Sequence, residues 1–293
     1  MPEGDNVWQA ATRMHAALAG KRLAQTDFRV PAFATLDLAG WTVLEVVSRG
    51  KHLLHRLSPP QDADPRAGSA PLSIHSHLKM EGSWQVYASG ERWRKPAHTA
   101  RAVLRAEDGT SVVGFSLGVL EVIPTAEEHT VVGHLGPDLL GPDWDPEVAE
   151  ANLRAQPDRP IGLALLDQRN LAGIGNIYRN EACFLARVHP ATPVSAVPDL
   201  YGLVAMAKRL LEANRNRGSR NTTGGFGPRG DSWVYGRAGQ PCRRCRTRIQ
   251  HALLGEPSPA EAGTGTAVQR ERDIYFCPRC QPAPPAAQPE RVS

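Results

Sequence analysis

Residues 101–115, RAVLRAEDGTSVVGF, set two apolar runs, Arg101–Glu107 and Ser111–Phe115, on either side of Asp108-Gly109. An Asp-Gly pair between such runs signals a tight hairpin, because glycine readily takes the positive φ the turn needs. Upstream, four further apolar or alternating runs repeat the strand pattern: Trp41–Val47, His52–Leu57, Leu72–Leu78 and Ser83–Tyr87. Together they predict an antiparallel β sandwich or barrel. One helix precedes them, with Val7, Ala11, Met14 and Leu18 at helical spacing and Gly20 as a stop. Downstream the period changes. Glu147–Ala155, Ile161–Gln168, Gly175–Ala186 and Asp199–Asn214 read as helices, punctuated by Pro157, Pro160 and the Pro190–Pro198 segment. The chain is therefore α+β, with a boundary near 130–145.

At 293 residues there is core enough to fold without disulfide staples. No run reaches the roughly 18–20 apolar residues of a membrane span. MPEGDNVW lacks the basic-then-apolar pattern of a secretory signal, so a cytoplasmic protein is expected. The net charge is +4, unevenly spread. Lys208–Arg248 holds eleven basic and two acidic residues, a local +9, leaving −5 on the rest. A basic C-terminal third on a slightly acidic body points to a polyanion-binding face. Ser58–Pro71 reads as a surface insertion, Gly255–Gly265 as a linker, and the Pro/Ala-rich Gln281–Ser293 as a disordered tail.

Four of the five cysteines form two C-x2-C pairs, Cys242/Cys245 and Cys277/Cys280. Two such knuckles can close a tetrahedron of thiolates around a structural Zn2+. The 31 residues between the pairs exceed the usual spacing of about 15–20. The Gly/Pro-rich stretch accounts for the excess as an extended loop between two strands. Paired disulfides and an iron–sulfur site are the rival readings. Cys183, in an apolar helical stretch, reads as a small core residue.

Pro2-Glu3-Gly4 bears on chemistry. Removal of Met1 would expose a secondary amine at Pro2. With a reference pKa near 8, a usable fraction of such an amine is neutral and nucleophilic at pH 7. The competing explanation is local: proline commonly begins helices, and a first-turn glutamate suits the helix dipole.

The segments MPEGDNVW, SRGKHLL, SHLKMEGSW, LGPD, DQRNLAGIGNIYRNE, YGRAGQPCRRC and RDIYFCPRCQ occur in this order from residue 1 to residue 281. Together they resemble the formamidopyrimidine-DNA glycosylase / endonuclease VIII family, most closely its actinobacterial endonuclease VIII-like members. The resemblance implies an N-terminal β sandwich with flanking helices (1–130, catalytic), a helix–two-turn–helix DNA-binding domain (131–235), a zinc-finger hairpin (236–281) and a tail (282–293). It implies catalytic roles for Pro2 as Schiff-base nucleophile, Glu3 as proton donor and base, Lys51 as helper of β-elimination, and Arg272 as a phosphate clamp assisting δ-elimination. It implies DNA contacts from Lys79, Met80 as a wedge, His134 and Asn176, and a Zn2+ held by Cys242, Cys245, Cys277 and Cys280.

The implied function is a bifunctional DNA glycosylase and abasic-site lyase, acting as a monomer on damaged DNA in duplex, single-stranded or forked form. Pro2-Glu3-Gly4, and the lack of an Arg-Phe pair in Phe115–Glu121, look like the endonuclease VIII branch, which favours oxidised pyrimidines. Asp5-Asn6 departs from the usual Pro-Glu of that branch and leaves lesion preference open. An 8-oxoguanine/formamidopyrimidine enzyme and a damaged-DNA-binding member without catalysis are the alternatives.

Overall fold

A computed structural model describes residues 2–60, 70–225, 231–255 and 272–284. The expected insertion at 58–71, the linker at 255–265 and the tail fall largely or wholly outside the described residues. The chain divides into two compact units, Met1–Leu135 and Gly136–Ser293.

In the first unit, α1 (Gly4–Leu18) is followed by β1 (Leu23–Phe28), β2 (Thr42–Arg49), β3 (His52–Ser58), β4 (Leu72–His77), β5 (Ser83–Tyr87), β6 (Ala100–Ala106), β7 (Ser111–Phe115), β8 (Val119–Pro124) and a short α2 (His129–Val132). Two four-stranded antiparallel sheets form, in the orders β1-β6-β7-β5 and β2-β3-β4-β8. The predicted Asp108-Gly109 turn joins β6 to β7, with Gly109 at φ +84°. The core combines the Val7–Met14–Leu18 stripe of α1 with Val43, Leu53, Leu57, Ile74, Trp84, Leu104 and Val112. Each such fully buried side chain contributes about 1.5–3 kcal/mol.

Two strands were not legible in sequence. β1, LAQTDF, buries only its ends and exists as a strand because it pairs with β6. β8, VLEVIP, is nowhere fully buried and closes the other sheet against β4.

The outer face of the β2-β3-β4-β8 sheet is polar. The register sets Arg49 opposite His52, His52 opposite His77, and His75 opposite Glu121. Residues 125–135 run over this face. Glu128 there accepts from Arg56 Nη2 at 2.7 Å and from the Ser73 hydroxyl at 2.5 Å.

The second unit holds α3 (Pro146–Arg154), α4 (Ile161–Ala164), α5 (Asn176–Leu185), α6 (Leu200–Asn214) and the ribbon β9 (Gln250–Leu254) with β10 (Arg272–Phe276). Leu153, Ile161, Leu165, Tyr178, Leu203 and Leu211 share its core. Asp145 and Asp199 cap α3 and α6 by accepting backbone N–H groups of the first turn.

The helix expected over Ile161–Gln168 stops at Ala164, because side chains take over the backbone groups beyond it. The Asp167 carboxylate binds Arg159 and Arg169, and Gln168 reaches Leu166 O, Ile174 O and Gly173 N. The result is a cross-linked turn leading into α5. A lone two-stranded ribbon is marginal in water. Here β9–β10 is anchored through Phe184, Val234, Cys242, Ile249 and Cys277, which pack together.

Gln281, expected in the tail, is instead fully buried. It accepts from Cys277 N at 3.0 Å and donates to Val188 O at 2.8 Å, so the ordered chain continues past the second cysteine pair.

Candidate functional site

Pro2 is half-buried and precedes Glu3, which is the N-cap of α1. The helix begins at Gly4, so Pro2 is not its first residue, and the acid of the first turn is Asp5. Pro2 thus lies just before the helix and Glu3 at its N-cap. Glu3 is completely buried, yet its side chain does not cap α1; its carbonyl accepts from Asn6 N and Val7 N.

Lys51 lies in the two-residue β2–β3 turn with Gly50, whose φ of +58° suits glycine. Lys79 and Met80 form the tip of the loop after β4. Lys79 itself is left-handed at φ +53°, and Met80 is 66% exposed, so core packing does not explain it. Gly118 lets the Lys79 side chain approach, since a Cβ there would sit 2.2 Å from Lys79 Cγ.

The side chains between these groups are histidines. His52 stacks on His75 at 5.1 Å between ring centroids and meets His77 and His134 edge-on at 5.0 and 6.1 Å. Lys79 N–H donates to His77 Nδ1 at 3.0 Å. Burial, then the charges of Lys79 and Lys51, pushes His77 down to about 4. Burial, then His77, His75, His134 and Lys79, pushes His52 down to about 3. Lys51, Lys79 and His134 thus belong to one neighbourhood, floored by neutral imidazoles. Sequence reading missed His52, His75 and His77; the alternating His75-x-His77 was the available signal, and the histidine opposite it is set by the register.

In the second unit, Asn176 opens α5 and the exposed Arg272 opens β10. Arg179, fully buried, links their elements. Its Nη2 binds Asn176 Oδ1 and donates to Asp273 O at 2.9 Å. Asn180 adds a second tie, accepting from Tyr275 N at 2.8 Å. Glu181, also buried, accepts from Trp233, Val234 and Tyr235 N–H at 2.7–2.9 Å and from the Thr222 hydroxyl. One turn of α5 therefore organises the loop before the first cysteine pair and the ribbon between the two pairs. The motif DQRNLAGIGNIYRNE contains these residues, but nothing in it says what they bind.

The four cysteine sulfurs of the two pairs lie within 4.8 Å of one another, and none is in a disulfide. Cys245 Sγ is 3.4 Å from Cys277 Sγ and 3.5 Å from Cys280 Sγ. A tetrahedron built on Zn–S bonds of about 2.3 Å has edges of about 3.8 Å, so the cluster fits a metal ion. The disulfide reading does not hold. Cys183 is a core residue, buried, with its thiol pushed up to about 12 by that burial.

The Formamidopyrimidine-DNA glycosylase N-terminal domain matches residues 1–115, and the Formamidopyrimidine-DNA glycosylase H2TH domain matches residues 135–214. The chain is 53% identical over 292 residues to a "Probable endonuclease 8 2" of Streptomyces coelicolor, covering 99% of this chain and 96% of the relative. It is 48% identical to the "DNA-(apurinic or apyrimidinic site) lyase Nei2" of Mycolicibacterium smegmatis, covering 97% and 100%. The fold is similar to that of Lactococcus lactis formamidopyrimidine-DNA glycosylase bound to abasic-site DNA, with TM-score 0.71, 22% identity, and 96% and 100% of the two chains covered.

Proposed function

The chain belongs to the formamidopyrimidine-DNA glycosylase family, with endonuclease 8 proteins among its relatives, and from that premise we propose that it removes oxidised pyrimidines from DNA and cleaves the strand through a Schiff base on Pro2. The observation that carries the reading is the grouping of Lys51, Lys79 and His134 around neutral His52 and His77, with Met80 exposed beside them. Lysines able to hold phosphate flank an apolar residue able to fill the gap a flipped nucleotide leaves.

In the proposed reaction, the Pro2 nitrogen, free once Met1 is removed, attacks the sugar C1′. Glu3 supplies the proton that opens the sugar, and the base leaves. The amine is secondary, so the adduct is an iminium, which acidifies C2′–H. Loss of that proton expels the 3′ phosphate, with Lys51 assisting. A second elimination, with Arg272 holding the phosphate, releases the 5′ side, and water frees Pro2. A joint phosphate grip by Asn176 and Arg272 is supported by Arg179, which binds Asn176 Oδ1 and the backbone oxygen of Asp273, the residue after Arg272. Cys242, Cys245, Cys277 and Cys280 would hold a Zn2+, which when bound stiffens the knuckles next to β10. Among the described residues no helix is long and apolar enough to cross a membrane. We place the protein in the cytoplasm, acting as a monomer on damaged DNA in duplex, single-stranded or forked form.

Borohydride trapping tests the lyase. Wild-type protein with Met1 removed should form a covalent adduct with abasic-site DNA, and Pro2→Gly little. Absence of a wild-type adduct overturns the reading. Duplexes carrying thymine glycol, 5-hydroxycytosine, dihydrouracil or 8-oxoguanine decide the lesion; fastest excision of 8-oxoguanine would overturn the pyrimidine preference.

A further inference from the structure

Behind the Lys51 neighbourhood runs a hydrogen-bonded chain across three strands. Glu121 Oε2 on β8 lies 2.9 Å from His75 Nδ1 on β4, and His75 Nε2 lies 2.8 Å from His52 Nδ1 on β3. The His75 side chain is 4% exposed and that of Glu121 45%. The chain therefore joins the residue next to Lys51, through a buried ring, to a carboxylate in contact with solvent.

With both rings neutral, the two hydrogen bonds allow one arrangement of protons. A carboxylate only accepts, so His75 carries its proton on Nδ1. His75 Nε2 then accepts from His52 Nδ1–H, and His52 Nε2 is left as a lone pair.

We propose that Glu121, His75 and His52 form a proton relay that positions an acceptor beside Lys51 and carries protons from the elimination site to solvent. The proposal rests on the reading of Lys51 as the residue that assists β-elimination. A proton arriving at His52 Nε2 forms an N–H bond there. The Nδ1 proton of His52 passes to His75 Nε2. The Nδ1 proton of His75 passes to the Glu121 carboxylate and from there to solvent, leaving both rings neutral with their protons on Nε2; the reverse transfer, when the site takes up a proton on product release, restores the starting arrangement. No heavy-atom bond changes and no co-reactant is needed.

The surroundings favour that direction. Arg49 on β2, Lys51 in the turn, and His77 and Lys79 at the end of β4 face the His52 end, with His134 from the covering segment. Glu121, with Glu128 beyond it, faces the His75 end. Burial and this cationic field hold His52 far below the usual imidazole range, so a proton does not stay on it.

Three measurements test the relay. In the free protein, long-range 15N–1H spectra should show His75 protonated at Nδ1 and His52 unprotonated at Nε2; the opposite tautomers overturn it. In single-turnover cleavage of a preformed abasic site, Glu121→Gln and His75→Phe should slow elimination roughly tenfold near pH 6, with recovery toward higher pH. Affinity for abasic-site DNA and the yield of borohydride-trapped adduct should stay at wild-type level. A wild-type pH profile in both variants overturns the proposal. So does an equal loss at every pH with a lowered Tm, which marks a structural role. If the wild type itself yields no adduct, the lyase reading has failed, and the spectra still decide the proton arrangement.

Discussion

Arg179 Nη2 donates to the backbone oxygen of Asp273 at 2.9 Å, fixing the first turn of α5 to the strand that begins with Arg272. The same nitrogen binds Asn176 Oδ1. A fully buried guanidinium thus sets the spacing of two residues far apart in sequence, each read as a phosphate contact. Replacement Arg179→Met should cost about 2–4 kcal/mol, because buried acceptors lose a charged donor. It should also weaken abasic-site binding beyond the loss of either Asn176 or Arg272 alone. Unfolding curves and DNA titrations check both.

Glu181 supports the loop before the cysteine pairs through three backbone N–H groups and a hydroxyl. Glu181→Leu leaves those donors buried without an acceptor and should cost about 3–5 kcal/mol. Glu181→Gln keeps one acceptor oxygen and should cost less. Hydrogen exchange of residues 233–235 should rise in both.

Removal of metal should act locally. One Zn2+ per chain is expected by elemental analysis. Chelation or Cys277→Ser should expose the segment around β9–β10 to protease and weaken DNA binding. The β sandwich has its own core and should keep its circular dichroism.

Acid stability follows from buried histidines. Burial pushes His55 and His189 down to about 4 each. A histidine whose folded pKa is lowered binds its proton better when unfolded, so its contribution is complete above about 6.5 and erodes as pH falls toward 4. The erosion approaches about 1.4 kcal/mol per pH unit for each such group. Tm should therefore fall between pH 7 and pH 5, and His55→Leu should shrink that fall.

Met80 separates stability from binding. Its side chain is largely exposed, so Met80→Ala should change stability by no more than about 0.5 kcal/mol. It should lower affinity for an abasic site several-fold, while leaving binding to intact duplex nearly unchanged. Competition binding with the two duplexes checks this.

The strand-to-helix change, the hairpin at Asp108-Gly109 and the paired cysteines were readable because each depends on neighbours within a few residues. Periodicity, a turn that needs glycine, and C-x2-C spacing are local facts. The order of segments from Pro2 to Cys280 was enough to point to the family. The rest depended on strands and helices meeting. LAQTDF is a strand only because β6 pairs with it, and the Asp167–Gly175 turn that interrupts a helical pattern is held by side-chain and long-range backbone hydrogen bonds together. His52, His75 and Glu121 are ordinary polar positions until the antiparallel register brings three strands into line. Register depends on which backbones share hydrogen bonds, and only the folded chain decides that.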